Sequence, residues 1–81
     1  MLGKPINTYF DRITVDPAVC SGKPIVVGTR IMVRTILGMV AGGSSASDIL
    51  EGYPDLKKED VIAALAYAAA IIDEDRVILR P

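Results

Sequence analysis

Residues 61–72 read Val-Ile-Ala-Ala-Leu-Ala-Tyr-Ala-Ala-Ala-Ile-Ile, with one hydroxyl and no charge in twelve positions. A helix on the surface of a globular domain shows a polar face, and this stretch has none, so it is expected to be covered on more than one side. The rest of the chain is thin cover for it. The surplus apolar surface is therefore expected to meet a second copy, with Val61, Leu65, Ala68, Ala69 and Ile72 in the contact. Small side chains at 63, 64, 66, 68, 69 and 70 would let another helix approach closely. The competing account is helix propensity alone, since Ala is the best helix former and buries little area.

Eighty-one residues, 51% apolar and 23% charged, make one small globular domain with little core to spare. The single Cys20 cannot form an intramolecular disulfide, and no signal-peptide pattern stands at Met1-Leu2-Gly3-Lys4-Pro5, so a cytoplasmic setting is expected. No apolar run is long enough to span a membrane. The net charge of −1 is unevenly spread: residues 1–40 carry five basic and two acidic side chains, residues 41–81 four basic and eight acidic. An anion-facing surface would therefore come mainly from the N-terminal half.

Taken in order, residues 1–10 have no period and read as an arm, followed by a single domain over residues 11–75. Arg12-Ile13-Thr14-Val15 alternates and is β-branched at three positions, a short strand ended by Asp16-Pro17. A second strand, Ile25-Val26-Val27, pairs with it as a two-stranded ribbon, which needs a helix or a second copy against its apolar face. From about Met32 to Ala41 apolar residues fall at 33, 36, 37 and 40, one face of a helix stopped by Gly42-Gly43. Ser45 with Asp48 three residues on caps a second helix of about two turns, ended by Gly52-Tyr53-Pro54. A third begins near Lys58, with Glu59 and Asp60 in its first turn, and continues to about Ile72. Asp73-Glu74-Asp75 opposes the dipole there and should help terminate it. Residues 76–81 form a tail in which Val77-Ile78-Leu79 has the composition of a short strand.

The segment from Gly22 to Val33 compresses a turn, a strand, a second turn and a helix entry into a dozen residues. Gly22 and Gly28 can take positive φ, and Pro24 suits the start of a strand or an edge. One reading is a purely structural β-turn-α corner. The other is a contact site in which Lys23, Thr29 and Arg30, with Arg34 on the following helix, hold a phosphate or an acidic partner. Catalytic chemistry finds little footing: the chain has no His, one Cys, and carboxylates whose spacing does not converge across an apolar pocket. Gly22-Lys23 lacks the upstream Gly and following Ser/Thr of a phosphate-binding P-loop. A non-enzyme is expected, with no catalytic residues, metal or cofactor.

The pattern Ile13, Asp16-Pro17, Gly22-Lys23-Pro24, Gly28-Thr29-Arg30-Ile31 with Val33, Gly43 with Ser45, Tyr53-Pro54 with Leu56, and Asp60 through Tyr67-Ala68 resembles the bacterial family called domain of unknown function 433. The likeness covers residues 13 to about 70. Two positions depart from the family pattern: Met32 stands in place of the usual Pro, and Lys57 where a capping Thr is common, weakening both helix entries. The resemblance implies a mainly α fold, a three-helix homeodomain-like bundle of helix-turn-helix type with a small N-terminal β-ribbon. It also implies a role as the antitoxin half of a toxin-antitoxin pair, often beside a PIN-type nuclease toxin.

Two functions follow from these readings. In the first, a dimeric antitoxin contacts operator DNA. The helix after the turn offers only Lys57 and Lys58 before acids and aliphatics, a poor reader of bases, so DNA contact would rest on Lys23, Arg30 and Arg34, with Arg12 and Lys4 as outliers. In the second, the chain is an interaction module whose acidic C-terminal half suits a basic partner. A DNA-binding regulator without a toxin, or an orphan oligomerisation module, are the further alternatives.

Overall fold

The structure, a computed structural model, describes residues 11–75. The N-terminal arm and the strand expected at 77–79 lie outside the described residues. Two strands, β1 (Ile13–Val15) and β2 (Pro24–Val26), precede three helices, α1 (Val33–Ala41), α2 (Ala46–Gly52) and α3 (Lys58–Asp75). The strands pair antiparallel, Ile13 opposite Val26 and Val15 opposite Pro24. Each helix packs on the other two, and the ribbon closes the bundle by lying against α1 and α3. The fold is the mainly α, three-helix and β-ribbon arrangement expected from the sequence.

β2 starts one residue earlier than the alternation suggests. Pro24 opens it, and Val27 has already left the ladder: its N–H donates to the Arg12 carbonyl, and the side chain is half exposed. Gly28, at φ +81°, turns the chain back so that the Val26 N–H reaches the Ile31 carbonyl and Met32 bridges to Ile25. That bridge holds Met32 extended, so α1 begins at Val33 and Met32 is its cap, without a capping side chain. Between the strands, Cys20, Ser21 and Gly22 all sit at positive φ, a left-handed turn closed by Gly22 N–H to Val19 O and Lys23 N–H to Cys20 O. For Cys and Ser that region costs about 1–2 kcal/mol per residue, a local conflict that glycine at Gly22 escapes.

α1 ends in a Schellman motif. Gly43, at φ +100°, lets its own N–H reach Val40 O while Ser44 N–H reaches Met39 O, satisfying two of the last carbonyls. α2 opens on a complete capping box, with Ser45 and Asp48 exchanging side-chain and backbone bonds at 3.0 and 3.1 Å. The core is Ile13 and Val26 from the ribbon, Val33 and Ile36 from α1, Ile49 from α2, Leu56 from the turn, and Val61, Ala63 and Ala64 from α3. Ile36 and Ile49 are fully enclosed.

α3 runs one turn past its expected end. The acids at 73–75 lie within the helix. A charge opposing the dipole costs about 0.3–1 kcal/mol at an exposed end, too little to break a helix that needs no other residue to change conformation. The described residues cover α3 on one side only: Val61, Ala63 and Ala64 are buried, while Ile62, Leu65, Ile71 and Ile72 remain exposed. The expected cover on several sides is not supplied by the described residues. Among the described residues, no helix is long and apolar enough to cross a membrane.

Candidate functional site

The second half of α3 overhangs the body of the domain. Ala64, fully buried, and Ile71, two turns later on the same face, make the point: Ile71 is 38% exposed because the core has ended beneath it. The overhang leaves an apolar notch of about 310 Å³ between Tyr67, Ala68, Ile71 and Ile72 of α3 and Val33 and Leu37 of α1. Pro24 closes one end, and Lys23 and Arg34 stand on its rim. The exposed flank of α3 beside the notch carries Ile62, Leu65, Ala69 and Ile72, spaced three, four and three residues apart along one stripe.

The residues singled out in the sequence divide three ways. Lys23 and Arg34 come together at the notch, both exposed and without an ion-pair partner among the described residues. Arg30 is exposed on a different depression, with Gly28, Thr29, Ile31, Tyr53 and Asp55. Thr29 is not available as a contact: its hydroxyl donates to Val26 O and accepts from the Ile31 N–H, both at 2.9 Å, and so pins the β2–α1 turn. Of the five residues expected at a self-contact, Leu65, Ala69 and Ile72 are exposed and Ala68 lines the notch. Val61 is a correction. At 4% exposure it belongs to the chain's own core, because it leads the α3 face that packs inward.

Sequence reasoning missed the polar centre at the start of α3. Asp60 is buried, accepts from Arg12 Nη1 at 3.0 Å and from the Lys57 N–H at 2.8 Å. Lys57 brings no capping side chain, so the third helical residue reaches back to cap its own helix, half of a capping box. The legible signal was an acid three residues after a Lys in the cap position. The same bond holds Arg12 in a structural ion pair. Asp48, at the other cap, has its carboxyl held below the usual range, first by the Ser45 backbone N–H and then by the Ser45 hydroxyl.

Residues 13–68 match the family model described as a protein of unknown function, DUF433. The chain belongs to that family. A DUF433 member protein from Anabaena variabilis ATCC 29413, solved as a crystal structure, superposes with a TM-score of 0.73 at 33% identity, over 82% of this chain and 66% of that one. The uncharacterized protein y4eO of Sinorhizobium fredii (strain NBRC 101917 / NGR234) is 38% identical over 58 residues, 72% of this chain. The chain spans about a quarter (26%) of the length of that relative. The DUF433 match takes in Lys23, Arg34 and Ala68 and stops before Ile71 and Ile72, so the outer wall of the notch lies beyond the segment that defines the family.

Proposed function

We propose that this DUF433 protein is a non-catalytic, cytoplasmic binding protein: a homodimer that serves as the antitoxin of a bacterial toxin-antitoxin pair through protein-protein contact. The observation that carries the reading is the uncovered flank of α3. Leu65, Ala69 and Ile72 form an apolar stripe with no charge among them, which favours a protein surface over solvent or a phosphate backbone. Asp48 and Glu51 on α2, Asp55 in the following turn and Glu59 on α3 are all exposed and free of ion pairs among the described residues, which suits a basic nuclease-type partner.

Operator binding is the second reading. It is favoured by Lys23, Arg30 and Arg34 being exposed, and it would be sequence-tolerant, since the exposed residues of α3 after Lys58 are Glu59 and then aliphatic side chains as far as Ile72. Affinity for the chain's own upstream DNA would then fall steeply with salt. The antitoxin role is tested by co-expression with the product of the adjacent reading frame. That product arrests growth alone, and growth returns with a co-purifying complex when this chain is present. A neighbour that is harmless alone and does not co-purify overturns the role.

A further inference from the structure

We propose that the notch under the α3 overhang seats the α3 end of a second copy of this chain, so that two copies exchange helix ends about a two-fold axis. The inference rests on the self-association reading above and adds its geometry and its charge pairing.

Both helix ends at this place carry the sign of charge that their own dipole disfavours. α1 opens with Arg34 in its first turn, no acid there and no capping side chain, and Lys23 stands beside it at the notch. The positive end of a helix is thereby surrounded by cations. α3 closes with Asp73 in its last turns and no base. Its negative end thus carries an acid where its dipole favours a base. Within one copy the two do not meet: Asp73 is exposed, is not part of the notch lining, and has no ion pair among the described residues. It lies two positions from Ile71, and two positions on a helix point to nearly opposite sides. Asp73 is thus turned away from its own notch and its own Arg34, and is free to pair outside the chain it belongs to.

A second copy supplies the complement of each feature. Its Ile72, the most exposed large apolar residue of α3 at 62%, fills the space over Val33 and Leu37, and its Asp73 meets Arg34 and Lys23 on the rim. Because the plug and one wall are the same helix, the contact forms twice, as an isologous interface requires. Ala68 and Ala69 keep the crossing free of bulk where the two helices approach. An apolar pocket filled by an aliphatic side chain with an acid-base pair at its edge is the anatomy of a stable protein interface.

The test is a charge swap on the full chain, read by sedimentation equilibrium at low ionic strength. Arg34→Glu and Asp73→Lys each act on both symmetric contacts and each weaken the dimer by about tenfold, whereas the double variant returns to within about threefold of wild type. Ile72→Asp abolishes the dimer. Both charged side chains are exposed, so far-ultraviolet circular dichroism of the singles matches wild type. A wild-type dimer indifferent to either reversal, or singles that weaken it without rescue in the double, overturns the notch pairing alone. A wild-type chain that stays monomeric at every concentration overturns it together with self-association.

Discussion

Arg12 Nη1 donates to Asp60 Oδ1 at 3.0 Å across 48 positions of chain, fastening the start of β1 to the first turn of α3. The carboxylate is nearly enclosed and the guanidinium about one-third exposed. With its other oxygen Asp60 holds the Lys57 N–H, so one side chain both caps α3 and ties it to the ribbon. The two strands, too small to stand alone, are anchored by that bond and by Ile13 and Val26 in the core.

Asp60→Ala removes the cap and the tie together and is predicted to cost about 2–3 kcal/mol. Asp60→Asn keeps an acceptor for the Lys57 N–H and costs less. At about 4–8 °C per kcal/mol for a domain of this size, thermal melting separates the two. Equal losses would show that the cap contributes nothing.

Thr29 makes two bonds with one hydroxyl inside the β2–α1 turn. Thr29→Val, which keeps the shape and loses the oxygen, is predicted to destabilise by about 1–2 kcal/mol, and Thr29→Ser to cost only a fraction of that. Urea titration of the pair checks it. A Val variant as stable as wild type would return Thr29 to the list of contact residues.

The α2 cap has a pH signature. Asp48 is held below its usual pKa in the folded chain by the Ser45 N–H and hydroxyl. Its contribution is therefore present above the unfolded carboxyl value of about 3.9 and is lost as pH falls through the lower folded value. Asp48→Asn should lag wild type in stability at neutral pH, and the gap should close on acidification. A gap independent of pH would mean that the carboxylate's charge plays no part.

Much of this architecture could be read from local chemistry. Gly42-Gly43 ends α1 because a left-handed residue is needed there, and Ser45 with Asp48 starts α2 because those two side chains satisfy each other. Val33 and Ile36 repeat at helical spacing, and both are core. The parts that could not be read depend on where separate elements stop relative to each other. The Arg12–Asp60 pair needs the ribbon laid across α3, which no local pattern encodes. Val61 looks like Leu65 in the sequence, and only the orientation of α3 against α1 and β1 sends one inward and the other out. The notch exists because α3 outlasts the core, and the acids at 73–75 suggested the opposite, an early stop. Cys20 and Ser21 at positive φ were equally hidden, since neither residue type announces that conformation.

We propose that the charge-free stretch of α3, residues 61–72, joins copies of the chain. Sedimentation equilibrium over a wide concentration range decides this, with wild type beside Leu65→Lys, a change at an exposed position on the apolar stripe. The expected wild-type mass is twice that of the 8.6 kDa chain and the expected Leu65→Lys mass that of one chain, with the helical signal unchanged. A wild-type protein that sediments as a single chain at every concentration would contradict it.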